Sequence, residues 1–331
     1  MQNPFQLTYF RILKHLLPEN TSLPDALSEI LQVSQDSAYR RLRGETALSI
    51  DEAIAICTHY KLPISLFVQN VPGLATFRYV SPDTKQDTFK KYIAIQLKAT
   101  EELLDHEDSK LLYAAIDTPL FHYYGYELLC VFKIHFWMKV ILGVEELKGN
   151  FSPADIDKDL ISTAKKIHEG YMQIPSVEIW SDNILDTSLK QIEFYWESGY
   201  FNKKNDAIAI LETFTTMIHD IETMAEKGTK LVNLEENKHF GAYQLYQSDI
   251  LLGNNTVMAF AGENRSAYIS HQTFNMLICN EEAYCNETEN WFKKIMSKST
   301  LISGVSEKNR TKFFKKMHKQ ILDTTEKIQH S

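Results

Sequence analysis

The run Leu31-Gln32-Val33-Ser34-Gln35-Asp36-Ser37-Ala38-Tyr39-Arg40-Arg41-Leu42-Arg43-Gly44 predicts a helix of short, fixed length. Ser34 is a strong N-cap residue, because its hydroxyl can accept a backbone N–H of the first turn. Gly44 tolerates the left-handed conformation in which helices commonly end. A helix of about two turns is marginal in water, so its neighbours must hold it. Leu7, Phe10, Leu13, Leu16 and Leu17 recur at helical spacing over residues 5–17, and Pro18 stops that helix. Ser22 is placed to cap a second helix, with Pro24 in its first turn, Asp25 complementing the dipole and Ala26, Leu27, Ile30 and Leu31 as its stripe. Ser49 and Glu52 have the spacing of a capping box. They open a fourth helix expected to bury Ile50, Ala53, Ile54 and Ile56 or Cys57, closed by Lys61-Leu62-Pro63.

Two short helices, a tight turn and a capped helix with a polar start make a helix-turn-helix. The quoted run resembles the core of the lambda-repressor-like (XRE-type) regulators, which reads roughly L-G-V-S-Q-x-x-[VI]-S-R-x-x-x-G. Leu48-Ser49-Ile50-Asp51-Glu52-Ala53 and Tyr60-Lys61-Leu62-Pro63-Ile64 are similar to that family's fourth helix and its exit. The resemblance covers residues 5–70 and implies that helix Gln35–Arg43 enters the major groove of double-stranded DNA. Carried over by position, Gln35, Asp36, Ser37 and Tyr39 face base edges, and Arg40 faces a base or a phosphate. Ser34 caps the helix and leaves its amide for a phosphate; Arg43 and Thr46 fall where backbone contacts are made. Three positions depart from the pattern. Gln32 stands where the family favours Gly, in a turn needing a left-handed residue. Pro24 replaces a Gln that braces the first reading residue, and Arg41 replaces a frequent buried aromatic.

The net charge of −8 argues against nucleic acid only until it is divided. Residues 1–75 hold six basic and seven acidic side chains, so the remaining residues carry −7. Most of the acidity lies outside the reading head. With few cations to neutralise phosphates, non-specific binding should be weak and the salt slope shallow.

The rest of the chain reads as a larger unit, residues 87–331, behind a linker over 71–86 marked by Val71-Pro72-Gly73 and Ser81-Pro82-Asp83. Phe89, Ile93, Leu97 and Leu104 share a face of a helix over 87–105 that connects, dimerises or packs on its own domain. Leu111 to Ile116 reads as a buried strand. An aromatic patch over 121–126 and a long helix from Glu127 to Leu142 follow, as plain core or as the wall of a ligand pocket. Further helices are expected over 152–169 and 187–197. Ala207, Leu211, Phe214, Ile218, Ile221 and Ala225 form a three-heptad seam, suited to a core helix or a helix-pair dimer interface. Strands over 243–247, 250–252, 256–260 and 267–269, with Gly-Asn turns between them, predict an antiparallel sheet with tight hairpins. Helices return over 286–297 and 307–328, the last capped by Ser306. Its Lys308, Arg310, Lys312, Lys315, Lys316 and Lys319 form a basic face, either solvated or set against DNA backbone or an acidic partner.

The expected fold class is therefore mainly α: an N-terminal all-α helix-turn-helix domain plus a larger α+β domain with a small antiparallel sheet. Cys57, Cys130, Cys279 and Cys285 read as buried reduced thiols, since Cys279, Cys285 and His271 lack the paired ligands of a zinc site. No nucleophile elbow, Walker loop, zincin or dinucleotide motif is present, so no catalytic site, metal or cofactor is expected. No export signal or membrane span is evident, and the cytoplasm is the expected location. The expected function is a sequence-specific DNA-binding transcription regulator. A head this small needs two half-sites, which implies a homodimer, and the large unit leaves room for a small-molecule or peptide effector. The alternative is a helical adaptor or sensor whose head contacts protein rather than DNA.

Overall fold

In a computed structural model the chain divides into two compact units, Met1–Thr76 and Phe77–Ser331. The structure describes residues 4–16, 22–62, 64, 73–80, 86–230, 240–272 and 275–331. The expected breaks at Pro18 and Pro63, and parts of the 71–86 segment, lie outside those residues.

The first unit is a helical cluster: α1 (Pro4–Leu16), α2 (Leu23–Leu31), α3 (Gln35–Leu42) and α4 (Ile50–Tyr60). Tyr9, Phe10 and Leu13 of α1 pack with Leu23 and Leu27 of α2, Ala38 of α3, and Ile56 and Cys57 of α4. The two most specific local signals hold. The Ser34 hydroxyl accepts from the Ser37 N–H, and Ser49 and Glu52 form a reciprocal capping box. Gly44 is left-handed at φ +73°, as the end of α3 requires. Ser22 stands at the N-cap of α2, but its side chain makes no capping bond. Ile50 and Ile54, expected in the core, are exposed by 75% and 47%. The inward face of α4 runs through Ile56 and Cys57, and Ile50 in its first turn lies beyond the edge of the core.

The second unit corrects the expected fold class. It is a layered α/β domain on a seven-stranded mixed sheet, not a mostly helical domain with a small antiparallel sheet. After α5 (Gln86–Leu104) come β1 (Lys110–Ala115), α6 (Leu120–Tyr123), α7 (Glu127–Phe136), α8 (Lys158–Gln173) and β2 (Ser176–Trp180). Then follow α9 (Asp186–Glu197), α10 (Lys204–Lys227), β3 (Tyr243–Gln247), β4 (Thr256–Ala261), β5 (Asn264–His271) and β6 (Asn275–Cys279). The chain closes with α11 (Glu282–Ser297), β7 (Thr300–Leu301) and α12 (Glu307–His330). The strand order is β6-β5-β4-β1-β2-β3-β7. β1, β2 and β3 are parallel neighbours joined by helical crossovers; the other pairings are antiparallel. The expected hairpins over 256–269 are present as β4 and β5. Residues 250–252 are not a strand.

Alternation along β1 sets the layers. Leu111, Tyr113 and Ala115 join the large core beneath the helices of one face. Leu112 and Ala114 join a smaller core closed by Cys285, Phe292 and Ile295 of α11. All six residues of the heptad seam on α10 are buried within the chain, where α10 packs against α12. The seam is therefore core and is not free to join a partner. The long helix expected from Glu127 leaves α geometry at Trp137 and finishes as a π-helical turn to Ile141. The helix expected from Ser152 begins as a 3-10 turn, with α8 proper starting after Asp157, whose carboxylate caps it. Ser306 makes no capping bond to α12. Arg310, assigned to the basic face, is buried and donates to the Ile302 and Gly304 carbonyls at 3.2 and 2.8 Å. Within the segment read as linker, Arg78 exchanges two backbone hydrogen bonds with Ile278 of the edge strand β6. All four cysteines are free and buried, and no group able to hold a metal occurs among the described residues. No helix among the described residues is long and apolar enough to cross a membrane.

Candidate nucleic-acid interface

The outward face of α3 begins with the turn that delivers it. Gln32 adopts φ +54°, which costs a non-glycine residue roughly 1 kcal/mol. The turn is held by the Val33 N–H on the Ser28 carbonyl (3.1 Å) and by the Ser28 hydroxyl on the Val33 carbonyl (2.6 Å). The chain thus re-enters a helix at once, with Ser34 as its cap.

Of the eight residues carried over from the resemblance, Ser34, Gln35, Asp36, Tyr39, Arg40 and Arg43 are exposed, and Ser37 and Thr46 are half-buried. Ala38, at the back of the same helix, is fully buried. Gln35 donates to Asp25 of α2 at 2.5 Å. The resemblance expects a bracing Gln where Pro24 stands, and the neighbouring Asp25 holds Gln35 instead. Arg40 pairs with Asp36 one turn back at 3.0 Å, and Arg43 pairs with Glu45 at 2.9 Å. Both pairs are more than half exposed. Such pairs contribute at most about 0.5 kcal/mol, so either guanidinium can exchange its carboxylate for a phosphate at small cost. The Ser34 hydroxyl is occupied by the Ser37 N–H (3.3 Å). The Thr46 backbone is tied on both sides, N–H to the Arg40 carbonyl and carbonyl to Gln6.

Arg41 belongs to the scaffold. Its guanidinium meets the Glu52 carboxylate through Nε (3.1 Å) and Nη2 (2.6 Å), and its side chain is only 14% exposed. The hydrogen bonds from Arg41 hold the Glu52 carboxyl below its ordinary range, against the upward push of burial, with help from the Ser49 N–H. A bidentate ion pair thus stands at position 41, locking α3 to α4.

One residue essential to this geometry escaped the sequence reading. Gln6 of α1 is 5% exposed. Its amide donates to the Arg41 carbonyl (2.7 Å) and the Thr46 carbonyl (2.8 Å), and its oxygen accepts from the Leu48 N–H (2.9 Å). It clamps the segment that leaves α3. Its partners are remote in sequence, so no local signal marked it. Gln6→Ala strands these backbone groups and should destabilise the head by about 2 kcal/mol. Native-state hydrogen exchange checks this: the Leu48 amide should exchange roughly 30-fold faster, and unchanged protection would contradict the clamp.

No protein-family profile, no curated protein and no solved structure matches this chain.

Proposed function

We propose that this protein is a sequence-specific DNA-binding regulator that lays the exposed face of α3 in the major groove and binds as a homodimer. One observation carries the reading. Gln35, Asp36, Tyr39 and Arg40 form a continuous exposed polar face, while the back and C-terminal end of the same short helix are locked by Ala38, the Arg41–Glu52 pair and the Gln6 clamp. A rigid, solvent-facing helix bearing Gln, Ser and Arg side chains suits base-edge recognition. The Arg40 and Arg43 guanidiniums are opposite in charge to the phosphates they would meet, and their present carboxylate partners are exposed and screened, so they hold them weakly. A single small head buries little surface, so useful affinity calls for two half-sites.

The second reading, a head that contacts protein, draws support from Ile50 and Ile54, two exposed apolar residues one turn apart on α4. A mobility-shift assay of the full chain on random-sequence duplex at low salt separates the two. DNA binding predicts a retained complex that Arg40→Glu with Arg43→Glu abolishes, with far-UV circular dichroism unchanged. Retention that survives both charge reversals would contradict the assignment of α3. No retention by the unaltered chain would favour the protein-contact reading.

A further inference from the structure

We propose that residues 77–331 bind an uncharged, largely apolar small molecule carrying a carbonyl-type acceptor, in a cavity at the carboxyl end of β1. The proposal does not rest on the DNA reading, because every residue it uses lies in the second unit.

Position is the first argument. In open α/β sheets, ligands settle in crevices beyond the carboxyl ends of the parallel strands. β1 is such a strand, with β2 parallel on one side and β4 antiparallel on the other. A cavity of about 340 Å³ opens there, walled in part by Tyr113, Asp117, Lys133, Gln191 and Asn255. A smaller chamber of about 90 Å³ lies beneath α5 and is walled largely by apolar residues, among them Leu103, Leu111, Ile174 and Ile278. Tyr92, Gln96, Phe121, Val257 and Met276 line both, so the two chambers adjoin as a polar outer end and an apolar inner one.

Charge is the second. Lys133 is fully buried, and its ammonium donates to Asp117 Oδ2 (2.9 Å), Ser188 Oγ (2.7 Å) and Gln191 Oε1 (2.9 Å). Its three protons are all engaged. The other Asp117 oxygen accepts from the Thr118 N–H (2.9 Å) and the Ser188 hydroxyl (2.7 Å). The ion pair neutralises itself and offers an anionic or cationic ligand no free counter-charge.

Donor balance is the third. Lys133 occupies the Gln191 oxygen, and the Ile116 N–H occupies the Asn255 oxygen at 2.8 Å. Each amide oxygen is thus engaged, while both amide NH2 groups remain to donate. The Tyr113 phenol, on a residue 7% exposed, makes no hydrogen bond to any described residue. A hydroxyl that opens onto a cavity and has no protein partner is free to donate to a ligand there. The outer chamber thus offers unengaged donors at Gln191, Asn255 and Tyr113, beside aromatic walls. That combination fits an acceptor head on an apolar body.

The test uses the full chain and 6-propionyl-2-(dimethylamino)naphthalene, an uncharged apolar ketone whose emission moves to the blue in apolar surroundings. The control probe, 2-(dimethylamino)naphthalene, lacks the carbonyl. The ketone should show a saturable blue shift. Tyr113→Phe should weaken it about fivefold without changing the affinity of the control probe. Thr187→Trp, at an exposed position on the outer wall, should abolish saturation while leaving the thermal unfolding midpoint in place. Absence of a saturable shift, or equal affinity in all three proteins, would overturn the proposal.

Discussion

Replacing Gln35, Ser37 and Arg40 together by alanine should reduce binding to a selected duplex to the level of random DNA. Each base contact of this type contributes about 1–3 kcal/mol of discrimination, and a symmetric dimer makes each one twice. The combined loss should exceed about 10³-fold, which is the lower end of the usual gap between specific and non-specific binding. The fold should survive. Alanine is the best helix former, Ser34 still caps α3, and none of the three side chains belongs to the buried cluster of the head. Among the described residues, the polar side-chain contacts removed are the surface hydrogen bond of Gln35 to Asp25 and the exposed pair of Arg40 with Asp36. A mobility shift with the selected and a scrambled duplex measures the effect. Retained preference for the selected site would mean that other residues read the bases.

The second large effect is one of stability and lies in the other unit. Glu178 is fully buried on β2. Its Oε1 accepts from His122 Nε2 at 2.9 Å and from the Tyr171 hydroxyl, and its Oε2 accepts from the Tyr243 hydroxyl at 3.0 Å. Burial alone would raise its pKa. The adjacent His122 ring, the hydrogen bonds from His122 and Tyr171, and nearby Lys230 outweigh burial and hold it below the ordinary carboxylate value. Lys230 is itself fully buried; it donates to the Tyr171 and Ile174 carbonyls at 2.6 and 2.7 Å, and burial pushes its pKa well down. Glu178→Ala removes the carboxylate shared by two phenols and a histidine, and with it a negative charge that acts on Lys230. Removing one member of such a buried set costs about 3–5 kcal/mol. All four tryptophans lie at or beyond residue 137, so tryptophan fluorescence in urea follows the second unit alone. The sign of the pH dependence follows from the lowered folded value. The contribution of Glu178 is complete above the unfolded carboxylate range and is lost as pH falls through the folded pKa. The stability gap between the two proteins should therefore narrow in acid. A gap below about 1 kcal/mol at neutral pH, or one that widens in acid, would contradict this account.

That carboxylate also explains what the sequence concealed. Ser176-Val177-Glu178-Ile179-Trp180 is a central parallel strand, and such strands usually read as continuous apolar runs. A charge at its middle hides it, because the partners that make the charge tolerable come from residues 122, 171 and 243. Without β2, the strand at 110–115 had no visible neighbour, and the strand at 243–247 fell in with the hairpin signals after it as part of a small antiparallel sheet. With β2 in place, the long helical connections before and after it become crossovers, and the parallel core follows. The head was more legible because its signals are local. Ser34, Gly44, Ser49 and Glu52 each act within a few residues. The misassigned Ile50 and Ile54 and the missed Gln6 show the limit, since periodicity marks an apolar residue without saying whether a neighbour covers it. The heptad seam on α10 was legible as a pattern, but only packing shows that α12 covers it.

Selection from a random-sequence duplex pool by the full chain tests the central claim most directly. The account predicts enrichment of a two-fold symmetric site, with half-sites about one helical turn apart or a multiple of it. Its salt dependence should be shallow, because residues 1–75 hold only six basic side chains. Recovery of no enriched sequence at low salt would contradict it.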